Sequence, residues 1–458
     1  MPGLNLDQIA RITGARVAGD AARPGAVAGY AIDSRLLARG EIFFALKGDA
    51  RDGHEFVADA FARGAVAAVV ERPVGGLAAG DVQLVVPSPL EALQALAAEV
   101  RKHSQIPVIA ITGSNGKTTT KEMLAHLLAT RFQVRKSPGN FNNHIGLPLS
   151  ILGLTPRDEI LVVELGANHV GEIAALAKLA RPDVAVVTNV GRAHVGLFGS
   201  VEAVAREKTD LVRSLGRGGR GVVNADDEFL LAALRGTDIP VLSFGIEAKA
   251  DFRATDVKVM AGGSQFMVAG QAIGLRVPGA HNVYNALAAM GAASLFGVSV
   301  KDTARALPDF EPARMKTVSL GGLTLIDDTY NANPDSMAAA LEVLAHAASG
   351  RRVLVMGEML ELGPQSESLH REVGSRVPAA RVDLLVGIGE ATRPAIEGAV
   401  KSGLKRDHAL WYESISAAKP ALGQLLRPGD TVLVKASRKA GLEEISDFLK
   451  ATAVAGRT

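Results

Sequence analysis

The residues best suited to chemistry lie in PVIAITGSNGKTTTKEML, residues 107–124, where an apolar run enters a glycine-rich turn and then a helical pattern. Gly113 and Gly116 permit backbone conformations that bring N–H groups close to phosphate oxygens. A helix starting near Lys117 adds the positive end of its dipole. The loop Gly113, Ser114, Asn115 and Gly116, with Lys117, Thr118 and Thr119 opening the helix, is therefore a candidate ATP site. Lys117 can reach the β- and γ-phosphates, and the Thr118 hydroxyl can hold Mg²⁺. The spacing departs from the usual phosphate-loop pattern, because Ile111 stands where the first glycine would be.

Two further strand ends carry polar groups. Glu164 closes the run ILVVE, and Asn189 and His194 follow DVAVV at 183–187. Ligands of open α/β sheets bind at the carboxyl ends of strands, so Glu164 could face the phosphate loop and offer Mg²⁺ an oxygen. A lone histidine is as often structural as it is a ligand, and the spacing leaves His194 open. Lys208, in VAREKTDLV, reads by itself as a solvated helix lysine.

These residues need a scaffold, and the pattern around them supplies one. Val- and Ile-rich runs at 107–112, 160–164, 183–190, 352–357, 383–389 and 431–437 alternate with Ala/Leu-rich helical stretches. Continuously apolar strands are buried on both faces, as in parallel sheets, and the alternation predicts an α/β fold. A chain of 458 residues suggests roughly three domains. Boundaries are expected at HSQIP (103–107) and FEPARMK (310–316), dividing the chain into 1–105, 106–312 and 313–458. Cysteine is absent, which excludes disulfides, zinc thiolates and a thiol nucleophile. A net charge of +2 calls for neither nucleic acid nor an anionic membrane. The N-terminus lacks the basic-then-apolar pattern of a signal peptide, and no apolar run reaches the roughly 18 residues of a membrane span. A cytoplasmic protein is expected.

TGSNGKTT, the strand-end Glu164, the His194 segment and PGAHNVYNALAA (278–289) occur in the order found in the Mur ligase family, which the chain resembles over nearly its whole length. The resemblance implies a three-domain architecture with a central P-loop ATPase domain and a Rossmann-like C-terminal domain. It implies two Mg²⁺ ions held by Thr118, Glu164, His194 and a carbamoylated Lys208. An N-carboxylated lysine offers anionic oxygens to a hard cation, where an ammonium would repel it. Lys117, Glu164, His194 and Lys208 are then the catalytic set. Asn282 and Asn285 resemble the adenine-side asparagines, Arg314 the phosphate-contacting arginine, and Asp328 the ribose-side aspartate. Asp327 adjoins it, and the register between the two stays open.

Within the family, ELGANHVGEI (164–173), NFNNHIGLPLSIL (140–152) and DDTYNANPDSM (327–337) resemble the members that add D-alanyl-D-alanine to UDP-N-acetylmuramoyl-tripeptide. Asn140, Asn143, Asn331 and Asn333 are the substrate-side candidates there. DSRLLARGEIFFALKGDARDGHEFVADAFARGAVAAVV (33–70) resembles the family's UDP-binding module, with Ser34, Arg35 and Lys47 as polar anchors. The implied reaction activates the tripeptide carboxylate with ATP for attack by the dipeptide amine. The alternatives are another amide ligase of the same fold, adding diaminopimelate or acting on folate, and a nucleotide-binding ATPase without ligase chemistry. A monomer without nucleic-acid or membrane partners is expected.

Overall fold

The computed structural model describes residues 3–19, 26–48, 51–312, 315–346 and 350–455. It contains three sheets, each built from one stretch of the chain. The first comprises β1 (Arg16–Ala18), β2 (Gly29–Ala31), β3 (Glu41–Phe44), β4 (Ala67–Val70) and β5 (Gln83–Val85), in the order β1-β5-β4-β3-β2. Strands β2 to β5 are parallel and β1 is antiparallel to β5.

The second sheet holds β6 (Val108–Thr112), β7 (Val134–Lys136), β8 (Ile160–Glu164), β9 (Val184–Val187), β10 (Arg220–Asn224), β11 (Val241–Gly245), β12 (Phe252–Met260), β13 (Gly263–Val268) and β14 (Gln271–Leu275). Its order is β14-β13-β12-β11-β10-β9-β6-β8-β7. Only the pairings of β12 with β13 and β13 with β14 are antiparallel. Strand β6 lies between β8 and β9, so successive crossovers run to opposite sides of it and open a crevice at its carboxyl end. Every residue of β6, β8 and β9 is buried, which explains why these runs show no polar alternation.

The third sheet comprises β15 (Lys316–Leu320), β16 (Leu323–Asp328), β17 (Arg352–Met356), β18 (Leu384–Ile388), β19 (Ala409–Tyr412) and β20 (Thr431–Lys435), ordered β15-β16-β20-β17-β18-β19. All but the β15–β16 hairpin are parallel. Side chains alternate between its faces. Leu354, Met356 and Leu385 pack with the helix Pro334–Ala345 on one side, whereas Val353, Val355 and Val432 pack with Ala418 and Leu422 on the other.

Two joints hold these units together. The core of the first sheet is continuous with one face of the second through the helix Pro89–His103, whose Leu93, Leu96 and Ala97 are buried. The second and third meet through the segment after β9, where Val195 belongs to a hydrophobic cluster of the third sheet. The second joint bears on the crevice beside β6, where Asn189, Gly191 and His194 of that segment line it.

Candidate functional site

Residues 113–116 turn from β6 into the helix Lys117–Leu128. Gly113 and Gly116 have φ of 145° and 81°. A Cβ at Gly113 would lie 1.9 Å from Thr188 Oγ1, and one at Gly116 would lie 2.1 Å from Asn285 Oδ1. Both positions therefore require glycine for conformation and for space. The loop is held from outside as well. Asn115 N–H donates to Asn189 Oδ1 (2.9 Å), Ser114 N–H to the Asn189 carbonyl (3.0 Å) and Thr188 Oγ1 to the Asn115 carbonyl (2.6 Å). Lys117 folds back over the turn, its Nζ donating to the Gly113 carbonyl at 2.8 Å.

Glu164, at the end of β8, faces this helix. Its carboxylate accepts from Thr118 Oγ1 (2.7 Å) and from Asn142 Nδ2 (2.8 Å), and the residue is 1% exposed. His194 has φ of 59°, an uncommon conformation for a residue other than glycine. Its Nδ1 is hydrogen-bonded to Glu361 of the third sheet's unit. Burial, then Lys117, lower the His194 pKa against the pull of Glu361, favouring neutral imidazole. With Nδ1 as donor, Nε2 keeps a lone pair.

Lys208 departs from its expected exposure. It lies on the buried face of the helix Val201–Arg213, is 2% exposed, and has its Nζ 5.9 Å from the centre of the Phe198 ring. Among the described residues nothing hydrogen-bonds its amine. Burial and the charge of Lys117 bring its pKa down to about 7, despite opposing pulls from Glu207 and Glu172. Glu207 is engaged elsewhere, accepting from Gly171 N–H and Ile173 N–H at 2.7 Å each at the start of the helix Glu172–Ala180.

The opposite wall combines the helix Ala280–Ser294 with the third sheet. Asn285 Nδ2 donates to Asn282 Oδ1 (3.1 Å), and Thr120 Oγ1 donates to Asn285 Oδ1 (3.2 Å). His281 is half-buried, its buried Nδ1 is unpartnered among the described residues, and desolvation lowers its pKa to about 4. Lys435, ending β20, donates to Asp328 Oδ2 (2.5 Å) and to the Asn331 carbonyl (2.8 Å). Asp327 points the other way, to Lys450 (2.9 Å), so Asp328 is the aspartate that borders the crevice. Asn333 caps the helix Pro334–Ala345 and its Nδ2 donates to Asn115 Oδ1 (2.8 Å). Arg192 donates to Asp335 through Nε and Nη2 (3.1 and 2.9 Å) and to Glu372 through Nη1 (2.7 Å).

These walls enclose a cavity of about 660 Å³. Ser114, Asn115, Gly116, Lys117, Thr119, Asn143, Glu164, His194, Asn282, Asn285, Asp328, Asn331 and Asn333 line it, whereas Gly113, Thr118 and Lys208 do not reach its surface. Arg314 lies outside the described residues, and Pro312 and Met315 on either side line the cavity. Asn140 is exposed and outside it; its neighbour Asn142 lines it and holds Glu164. Sequence reading also missed His281, Tyr284, Asp335 and Lys435 of this wall. The HNVYN run carried a signal for the first two; nothing local marked Lys435 within an apolar strand.

Ser34, Arg35 and Lys47 lie apart from the cavity, after the carboxyl ends of β2 and β3. Ser34 is buried, and Arg35 pairs with Asp33 at 2.7 Å with a side chain 78% exposed. His54 organises this edge: its Nδ1 is 2.6 Å from Asp52 Oδ1, and its Nε2 accepts from Glu71 N–H (3.0 Å). Arg72 donates to Asp52 Oδ2 (2.8 Å).

Among the described residues no cluster of three or more His, Asp or Glu side chains is arranged to hold a metal. Glu164, with the Thr118 hydroxyl bonded to it, and His194, braced by Glu361, both border the cavity and are donors that suit a hard cation.

Family models match the three parts in turn: the Mur ligase family catalytic domain over residues 26–101, the Mur ligase middle domain over 111–293, and the glutamate ligase domain over 313–438. The chain belongs to the Mur ligase family, with its three-domain α/β architecture. Among its relatives, the UDP-N-acetylmuramoyl-tripeptide–D-alanyl-D-alanine ligase of Bacillus subtilis is 35% identical, over 91% of this chain and 92% of its own length. A crystal structure of MurF from Acinetobacter baumannii superimposes with a TM-score of 0.87 at 34% identity, covering 98% of this chain and 100% of that one. MurF from Thermotoga maritima, solved in complex with ADP, gives 0.78 at 30% identity, covering 94% and 98%.

Proposed function

We propose that this chain is an ADP-forming amide ligase that joins D-alanyl-D-alanine to UDP-N-acetylmuramoyl-tripeptide, a step of peptidoglycan precursor synthesis. The single observation that carries the reading is the meeting at one cavity of a phosphate loop, a buried strand-end carboxylate hydrogen-bonded to the loop's helix, and an asparagine- and lysine-lined wall from a second domain. The likeness to D-alanyl-D-alanine ligases over nine-tenths of the chain supplies the substrates.

A carboxylate is a poor acylating agent because its leaving group would be oxide. Transfer of the ATP γ-phosphoryl group to a tripeptide carboxylate oxygen releases ADP and leaves an acyl phosphate. The dipeptide amine then attacks the carbonyl carbon, loses a proton, and phosphate departs with the former carboxylate oxygen. The loop amides of residues 113–116 and the helix start at Lys117 bind the phosphates, and Lys117 balances charge on the transferring group. Asn282, Asn285 and Asp328 border the nucleoside end, with Arg314 assigned to the phosphates. Thr118, Glu164 and His194, with Lys208 as its carbamate, would hold Mg²⁺, the number of ions being two. Bound Mg²⁺ supplies charge neutralisation at the phosphoryl group. Lys208 suits carbamoylation because an amine with a pKa of about 7 is about half unprotonated at neutral pH, where an ordinary lysine is almost wholly protonated.

Ser34, Arg35 and Lys47 anchor the UDP end, and Asn143, Asn331 and Asn333 the acceptor side. Residues 1–105, 106–312 and 313–458 thus divide the UDP, ATP and dipeptide roles in a cytoplasmic monomer. Walls from two domains exclude water from the acyl phosphate. No described helix is long and apolar enough to cross a membrane.

The test is ADP release from ATP with UDP-N-acetylmuramoyl-tripeptide, with and without D-alanyl-D-alanine, beside diaminopimelate and glutamate. Turnover should require both the nucleotide tripeptide and the dipeptide. Equal turnover with a single amino acid would move the chain to another branch, and ADP release without any acceptor would favour an ATPase.

A further inference from the structure

Lys121 sits one turn after Lys117 on the helix Lys117–Leu128 and is completely buried. Burying a lysine is costly unless its donors are satisfied, and a leucine or methionine would fill the position more cheaply. Its Nζ donates to the Ser137 and Gly139 carbonyls, both at 2.8 Å, and lies 3.2 Å from Glu122 Oε1. Three donors meet three acceptors.

The two carbonyls belong to the segment that follows β7 and leads to Asn142. That segment touches Glu164 twice. Glu164 N–H donates to Ser137 Oγ at 3.3 Å, and Asn142 Nδ2 donates to Glu164 Oε1 at 2.8 Å. The Asn142 carbonyl also accepts from Gly166 N–H (2.8 Å), just past the carboxylate. The other oxygen, Oε2, is taken by Thr118. Both hydrogen bonds that orient the Glu164 carboxylate therefore trace back to one helix, directly through Thr118 and, one turn on, through Lys121 and its strap.

We propose that Lys121 is a positioning residue for Glu164: by pinning residues 137–142 to the phosphate-loop helix, it fixes the carboxylate relative to the phosphates. The inference rests on the assignment of Glu164 to Mg²⁺ made above. Groups that orient a metal ligand without touching the metal are typically worth about 10–100-fold in metal affinity or activity.

The experiment is a Mg²⁺ titration of ADP formation in the full chain at saturating substrates, for wild type, Lys121→Met, Lys121→Gln and Glu164→Gln. KM for the UDP-tripeptide and melting temperature are measured in parallel. Lys121→Met should raise half-maximal Mg²⁺ by about 10–100-fold with an unchanged KM for the UDP-tripeptide. Lys121→Gln, which keeps two N–H donors on a shorter side chain, should show a smaller rise in the same direction, and it carries the test if the methionine variant does not fold. A folded variant with the wild-type Mg²⁺ requirement, beside a raised requirement in Glu164→Gln, overturns the inference alone. A wild-type requirement in Glu164→Gln overturns the inference together with the site assignment beneath it.

Discussion

The centre of the molecule and its N-terminal edge both present polar residues after parallel strands, yet they are built differently. At the centre Glu164 and Lys208 are almost wholly buried, and the Glu164 carboxylate is hydrogen-bonded through both oxygens. At the N-terminal edge Arg35 is largely exposed, and among the described residues its guanidinium is held only by neighbouring Asp33. A buried, fully paired group is preorganised, so its value appears when charge develops in the reaction. An exposed ion pair contributes little until a ligand arrives and competes for it. Substitutions at the centre should therefore act on kcat and on metal requirement, and those at the edge on KM.

Lys117→Ala should break the comparison most visibly. Its kcat should fall by about 10²–10³-fold, as for other preorganised groups that meet developing charge, while UDP-substrate binding by calorimetry stays near wild type. Near-normal kcat would detach the phosphate loop from the chemistry.

Lys208→Ala should also be inactive and folded, and a short carboxylic acid should restore part of the activity in a Mg²⁺-dependent way, which it should not do for Lys117→Ala. Full activity without additive would return Lys208 to a packing role. Its burial has a separate signature in stability. The folded pKa of about 7 lies below the ordinary lysine value near 10.4, so between these pH values the unfolded chain binds more protons. Stability should thus rise with pH across that window in the metal-free protein. Lys208→Met should remove this increment, so its melting temperature relative to wild type should be highest below pH 7 and decline toward pH 10. A pH-independent difference would contradict a buried amine.

The smallest effect belongs to the edge. Arg35→Ala should raise KM for the UDP-tripeptide by about tenfold, the worth of one charge-assisted hydrogen bond, and leave KM for ATP unchanged. An effect on ATP alone would reverse the domain roles.

How much of this was legible depended on whether a signal was local. The phosphate loop was, because its glycines, lysine and flanking strand are contiguous. Lys208 was misread as exposed, although Val204, Ala205 and Val212 lie on the same buried stripe of its helix, a spacing that marked an inward-facing lysine. The Asp327–Asp328 register was undecidable from composition and followed from strand alternation once β16 paired with β20. In NFNN, choosing among asparagines required knowing how the segment folds back on Glu164. Lys121 gave no warning, since its partners are backbone carbonyls 16 and 18 residues away. Contacts between domains, such as Arg192 with Asp335 and Glu372, were likewise invisible in one dimension.

The central claim is that the tripeptide carboxylate is activated by phosphorylation in this cavity. It is tested most directly with UDP-N-acetylmuramoyl-tripeptide carrying ¹⁸O in its terminal carboxylate, incubated with ATP, Mg²⁺ and D-alanyl-D-alanine. Mass spectrometry of the released phosphate should show one ¹⁸O per amide bond formed. Unlabelled phosphate released alongside the amide product would mean that water, not the carboxylate, received the phosphoryl group, and would contradict the account.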